Sequence, residues 1–276
     1  MNPLLADFCY ERRQSPFLAL TPGAFHFLHT SPDTHTGVAV RKLSIESLGS
    51  LNIPTGRLLL GDPFRGLQES GNVWHAVPAG QHPVILTLAQ VGEDDRIAAL
   101  RTAYVSVVFE PEALAQRQAE QRRAQATGRD PAVPPEALAP SFPHLPNGSF
   151  SQEEAMALTK RWVTVCTGCL ALADVEAFEE LMPPNRAEPE RGWFERLFET
   201  GRPGSWFDAL DAAAPWPRGA SNHLLPDAEK EENIVLCSSG WGDGRYQVVL
   251  EHASDGRLVA LHVDFQVVPF DPLRAD

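Results

Sequence analysis

Four aspartates, one histidine and one arginine carry the chemistry open to this chain: Asp62, Asp174, Asp243, Asp264, His262 and Arg245. Carboxylates converging at loop ends bind hard divalent cations through oxygen. A bound cation can activate water for hydrolysis, and a carboxylate pair can divide acid and base roles. Each residue also has a structural use. Aspartate before proline caps a turn, aspartate between glycines bonds its own backbone, and Asp264 can pair with Arg245 across a hairpin. The structural use, a ligand site without catalysis and catalysis all stay open on the sequence.

The elements that must position these residues centre on Ser238-Ser239-Gly240-Trp241-Gly242-Asp243-Gly244-Arg245-Tyr246. Glycines serve where backbone takes positive φ or comes close to another group. This segment follows the apolar run Ile234-Val235-Leu236, so it reads as a strand, a shaped loop and a second strand. Trp241 and Tyr246 join the candidate cluster with Asp62, Asp174, Asp243, Arg245, His262 and Asp264. Beyond Tyr246 two amphipathic strands flank Ser254-Asp255-Gly256. Tyr246, Val248 and Leu250 alternate on one strand, and Val259, Leu261, Val263 and Phe265 on the other. An even-length loop brings the apolar faces together and puts Arg245, Gln247, His262 and Asp264 on the opposite face. A three-residue loop wastes that burial.

Further strands are expected at 25–28, 38–40, 43–45, 57–60, 83–88, 97–109 and 162–165. Helices are expected over 112–127, from a capping signature at Ser151 and Glu154, around 174–181, and in two short aromatic segments at 193–198 and 206–210. Residues 128–147 are proline-rich and read as a linker or surface loop. No internal repeat is visible. The expected architecture is one α+β domain over 1–276, built on twisted, mainly antiparallel sheet with peripheral helices. Strands from 51–109 and 233–268 are expected in one sheet system.

Bulk properties narrow the function. The chain has 276 residues, 43% hydrophobic, with net charge −13. Such acidity argues against a nucleic-acid backbone or an anionic membrane surface as partner, and suits a basic protein. No apolar run reaches the ~20 residues of a membrane span, and Met1 to Tyr10 lacks a signal-peptide pattern. A cytoplasmic location is therefore expected. Cys166-Thr167-Gly168-Cys169 has redox or metal spacing, but Cys9 and Cys237 are only isolated further candidates, so buried structural thiols are expected, without disulfides or cofactor. His26 and His29 lie on opposite faces of an extended segment. No phosphate-binding glycine loop, dinucleotide fingerprint or nucleophile elbow is present.

These motifs resemble the uncharacterised bacterial domain-of-unknown-function family 4241. The resemblance is carried by Pro54-Thr55-Gly56-Arg57 leading to Gly61-Asp62-Pro63, by Pro78-Ala79-Gly80 leading to His82-Pro83-Val84, by Gly168 to Asp174, by Ser238 to Tyr246, and by Asp264-Phe265. Two positions depart from the family pattern. Cys166 stands where relatives have aspartate, and Ala79 where many have a second proline. The resemblance implies a fold and a site map without an activity. The function expected is a non-catalytic protein-interaction module, an antagonist of or accessory to a basic partner. The alternatives are a small-ligand or divalent-cation binder, or a metal-assisted hydrolase built on the aspartates.

Overall fold

The computed structural model describes residues 40–65, 72–91, 100–116, 162–181, 197–201, 203–253 and 255–267. The strand expected at 25–28, His26, His29, Cys9, the proline-rich 128–147 and the helix start at Ser151 lie outside them. Eleven strands follow one another: β1 (Val40–Ile53), β2 (Arg57–Gly61), β3 (Val73–Ala76), β4 (Gly80–Val91), β5 (Leu100–Val108), β6 (Trp162–Val165), β7 (Cys169–Asp174), β8 (Ala220–Leu224), β9 (Asn233–Ser238), β10 (Gly244–His252) and β11 (Leu258–Asp264). Between them lie a 3-10 turn at Pro63–Arg65 and two short helices, α1 (Val175–Leu181) and α2 (Trp206–Asp211). Of the segment expected at 38–40 only Val40 is described, and it lies with 43–45 in the single strand β1. Of the helix expected over 112–127, residues 112–116 are described and helical.

The fold is mainly β, with antiparallel pairing throughout the described ladders. The strands do not form one sheet system. They divide into a six-stranded sheet A, in order β1-β4-β5-β11-β10-β6, and a five-stranded sheet B, in order β3-β2-β7-β9-β8. One core unites them: Leu86, Val105, Val163, Leu261 and Phe265 of sheet A or its ends meet Leu58, Leu60, Leu172 and Val235 of sheet B. The other face of sheet B buries Leu59, Ala171 and Ile234 under Phe178, Phe198 and Trp206, which is why α1 and α2 lie there.

The connections explain the two sheets. β1 and β4 pair in sheet A, and their continuations β2 and β3 pair in sheet B. Ile53 opposes Gly80, the Gly56 carbonyl accepts from the Val77 amide, and Arg57 opposes Ala76. A single two-stranded ribbon therefore turns a corner at 54–56 and 77–79. A second ribbon does the same: β6 pairs with β10 in sheet A, β7 with β9 in sheet B, and the corner is 166–168 against 239–243. Strands that pass from one sheet to another make such corners with bends and bulges.

The two ribbons are an internal structural repeat, contrary to the expectation from sequence. In each half a Thr-Gly-x-Leu-x-Leu-x-Asp string leads out of the corner: Thr55 to Asp62, and Thr167 to Asp174. The order of sheet A reads the same from both ends, as β1-β4-β5 and β6-β10-β11. Repeat mates meet where the halves join, Leu60 against Leu172 in sheet B and Ser106 against His262 in sheet A. The Phe109 amide donates to the Val259 carbonyl, and the Phe265 amide to the Ala103 carbonyl. The register slip between Thr87 and Leu88 recurs between Glu251 and His252. His82 caps the Pro78 carbonyl and packs edge-on against Phe109; Tyr246 caps the Gly242 carbonyl and packs edge-on against Phe265. The halves share few identical residues, because each position asks only for a size and a polarity.

The slip at Glu251 also corrects the hairpin. Val248 opposes Val263 and Gln247 opposes Asp264, the register that burial demands. The turn is nevertheless the three-residue one, with Ala253 bonded to Arg257 and Gly256 at φ 87°. The extra residue Val259 restores the pairing.

The bulge in β1 between Ser47 and Ser50 is tied to sheet B by asparagines. Asn222 donates to the Leu48 and Ser50 carbonyls, and Asn233 donates to Ser50 and to the Asn222 side-chain oxygen. The Asn52 amide donates to Asn233 Oδ1 at 2.8 Å. Asn233 is buried, so Asn233→Ala takes the partner from the Asn52 amide and from Asn222 Oδ1 at the seam between sheets, and leaves the Ser50 carbonyl to Asn222 alone. A loss of about 2–3 kcal/mol in urea unfolding is expected; a loss under about 0.5 kcal/mol would show that water replaces the amide freely.

Candidate functional site

Asp62 and Asp174 occupy equivalent places in the repeat, and each braces the other ribbon's corner. Asp62 is 2% exposed. Its Oδ2 accepts from the amides of Cys166 (2.7 Å) and Thr167 (2.8 Å), and its Oδ1 from Thr167 Oγ1 (2.7 Å) and the Phe64 amide (3.0 Å). Asp174 is 1% exposed. Its Oδ2 accepts from the Thr55 amide (3.0 Å) and hydroxyl (2.7 Å), and its Oδ1 from the amides of Glu176 and Ala177. The last two bonds make it the N-cap of α1. A buried carboxylate is stable only with such a full set of donors, and here the backbone supplies it.

The glycine loop is the inner lining of the second corner. Gly240 has φ 65°, and a Cβ there would lie 2.6 Å from the Thr102 carbonyl and 2.7 Å from Val267 Cγ2. The Ser239 amide donates to the Gly168 carbonyl (2.9 Å), joining both sides of the corner. Ser239 Oγ and the Tyr246 hydroxyl both donate to the Gly242 carbonyl. Burial raises the Tyr246 pKa, and the Asp243 charge adds to the rise. Trp241 is half-buried, donates from its indole to the Gln266 carbonyl (3.2 Å) and lies under Arg101. Asp243 and Arg245 are exposed.

The hairpin face predicted to hold Arg245, Gln247, His262 and Asp264 exists, but the Arg245–Asp264 pairing is not its register. Gln247 opposes Asp264, and Arg245 opposes Thr164 with its guanidinium over the Trp162 ring. Asp264 accepts from the Gln266 amide at 2.7 Å and lies near Tyr104, whose pKa is raised first by burial and then by that carboxylate.

Where the halves meet in sheet A, the ring of His262 joins Ser106 Oγ (Nδ1, 2.8 Å) and Glu251 Oε2 (Nε2, 3.1 Å). A carboxylate oxygen accepts, so the ring donates from Nε2 to Glu251 and accepts at Nδ1 from the Ser106 hydroxyl. The serine–histidine–carboxylate order invites comparison with nucleophilic catalysis. Two facts count against it. Ser106 is 2% exposed in the middle of a sheet strand, and the neighbouring amides serve ladders on both sides, so no donors are left to hold an oxyanion. The chain of bonds is a buried polar seam between the halves. Ser106 and Glu251 were missed as candidates because their significance comes from neighbours far along the chain. Thr55 and Thr167 were missed too, although the repeated Thr-Gly-x-Leu-x-Leu-x-Asp string signals them.

The four aspartates do not assemble as one ligand set. Asp62 and Asp174 lie at opposite ends of the paired strands β2 and β7, about four residues or roughly 13 Å apart at the strand rise. Asp264 sits on sheet A facing away from the shared core, and Asp243 faces solvent. Among the described residues no group of three His, Cys, Asp or Glu side chains is placed to hold a metal. Cys169 and Cys237 are buried on opposite faces of sheet B, and burial raises both thiols well above the ordinary range. Neither supplies thiolate for redox exchange. Cys166 is half-buried at the corner.

His223 adds a titratable group that sequence reasoning passed over. Its ring stacks on Trp206 at 4.9 Å, its Nε2 is buried with no hydrogen-bond partner among the described residues, and burial lowers its pKa to about 4 from 6.5. Below pH 6.5 the unfolded chain therefore binds a proton that the folded chain refuses until about pH 4. This contribution to stability is complete above pH 6.5 and is lost as pH falls toward 4. His223→Phe keeps the stack and removes the proton site. Between pH 7 and 4.5 the native chain is expected to lose about 1–2 kcal/mol more than the variant, a figure discounted for partial exposure. Parallel losses in chemical denaturation would refute the assignment.

No protein-family model matches the chain, and no curated protein or solved structure matches it. The fold and site together define a mainly-β chain of two ribbon repeats whose buried carboxylates brace its corners. No helix among the described residues is long and apolar enough to cross a membrane.

Proposed function

We propose that this chain is a non-catalytic protein-interaction module that acts in the cytoplasm on a basic partner, and that it is related to the bacterial domain-of-unknown-function family 4241. Its twisted antiparallel framework with peripheral helices serves as a rigid scaffold in this reading. The observation that carries it is the use of Asp62 and Asp174. Their oxygens are taken by backbone amides and threonine hydroxyls, so these two buried carboxylates hold shape. The net charge of −13 then has its effect at the surface, where it steers a cationic protein and repels nucleic acid.

The test is isolation of the tagged full chain from an extract of its own cells at low salt. A basic protein recovered in stoichiometric amount, and released at about 0.5 M salt where screening is strong, is the expected result. The opposing result is no such partner together with a melting temperature raised by millimolar calcium or magnesium. A cation that binds only the folded state stabilises it by mass action. Asp243→Asn should diminish any such shift.

A further inference from the structure

Among the described strands, β8 is the one without a counterpart in the first half. Among the described residues it sits outermost in sheet B and pairs with β9 alone. The Ser238 amide donates to the Gly219 carbonyl, and the Leu225 amide to the Glu232 carbonyl. Bonded pairs alternate along an antiparallel ladder, so Ser221 and His223 turn their backbone groups to β9. Ala220, Asn222 and Leu224 turn theirs outward. The Ala220 amide is met by the Pro217 carbonyl; Asn222 and Leu224 offer both donor and acceptor to the open side.

The other outer strands carry protection that β8 lacks. β1 is broken by its bulge, and its Leu48 and Ser50 carbonyls are capped by Asn222 and Asn233. β3 and β6 are four residues long, and each carries a tryptophan lying under an arginine, Trp74 under Arg57 and Trp162 under Arg245. On β8 the terminal Leu224 is instead 63% exposed. The chain then enters a turn where Asp227, Glu229 and Glu231 are exposed, with Lys230 among them.

We propose that the open edge of β8 receives an extended, basic segment of a protein partner as an added strand. Main-chain bonds to Asn222 and Leu224 would set the register, an apolar side chain would cover Leu224, and lysine or arginine would meet the acidic turn. A second copy of this chain fits less well, because it brings another net charge of −13. The inference rests on the reading that the partner is basic, and deepens it by naming the surface.

The probe is a short capped peptide of alternating lysine and valine, titrated against the full chain. Two controls accompany it: the same peptide with alternate amides N-methylated, and a glutamate–valine peptide. Leu224→Pro removes one outward donor without touching the β9 ladder, since proline is tolerated on an open edge; a thermal melt checks that the variant folds. Binding of the lysine peptide is expected, with affinity falling about three- to tenfold in Leu224→Pro, as for one lost hydrogen bond. Asp227→Lys/Glu229→Lys should weaken it further, and neither control should bind. Absence of binding overturns the inference. So does binding that ignores N-methylation and Leu224→Pro while following charge reversal. Dimerisation through β8 in sedimentation, abolished by Leu224→Pro, overturns it in favour of a second copy. If the partner recovered from cells binds Leu224→Pro as tightly as the native chain, the edge is rejected while the basic-partner reading stands.

Discussion

Replacing Asp62 with alanine is expected to cost the fold about 3–5 kcal/mol, among the largest effects of any single substitution in this chain. The carboxylate is 2% exposed and accepts four hydrogen bonds, three of them from the corner residues Cys166 and Thr167. Alanine leaves those donors buried or forces water into the corner, at about 1–3 kcal/mol for each group left unmet. Relaxation of the loop recovers part of that, which sets the range. Asp62→Asn keeps one accepting oxygen and should lose about half as much. Asp243→Ala, at an exposed position, should stay within about 0.5 kcal/mol. Urea unfolding followed by circular dichroism measures all three. Equal losses for Asp62→Ala and Asp243→Ala would remove Asp62 from its role as the brace of the corner.

Gly240→Ala is expected to cost about 3 kcal/mol or more, from two independent sources. At φ 65° an L side chain pays about 1 kcal/mol in backbone strain. The new methyl would also press on the Thr102 carbonyl at 2.6 Å, Val267 Cγ2 at 2.7 Å and Phe265 Cβ at 3.0 Å, and overpacking of this kind costs about 1–3 kcal/mol. Gly256 separates the two sources. Its φ is 87°, and among the described residues nothing lies within 4 Å of where a Cβ would stand. Gly256→Ala should therefore show the backbone strain alone, about 1 kcal/mol. Unfolding midpoints for the two variants that coincide would mean that Phe265 and Val267 move aside, and that the corner is softer than its geometry indicates.

Much of the local structure was legible in the sequence because it rests on short-range rules. Alternation of Val248 with Tyr246 and of Leu261 with Val263 placed those side chains in the core. The segments 174–181 and 206–210 read as helix in sequence, and α1 and α2 lie there. The hairpin register followed from burial alone, although the loop length did not. A bulge at Val259 compensates for an odd turn, and no alternation rule contains that residue's choice.

What the sequence by itself determined was where several of the strands lie, which faces of the hairpin are apolar, and which positions need glycine; these depend on side-chain period and backbone sterics, whereas β3, β7 and β8 were not among the expected strands. Only the tertiary structure decided how the strands share two sheets, since a ribbon that crosses between sheets looks in sequence like any strand, loop and strand. It also decided the meaning of the carboxylates. Asp62 and Asp174 have the composition of a cation site, but the corner of the opposite ribbon reaches each one first with amide and hydroxyl donors. Pairing across more than a hundred residues made braces of them, because a buried charge takes the nearest full set of hydrogen bonds.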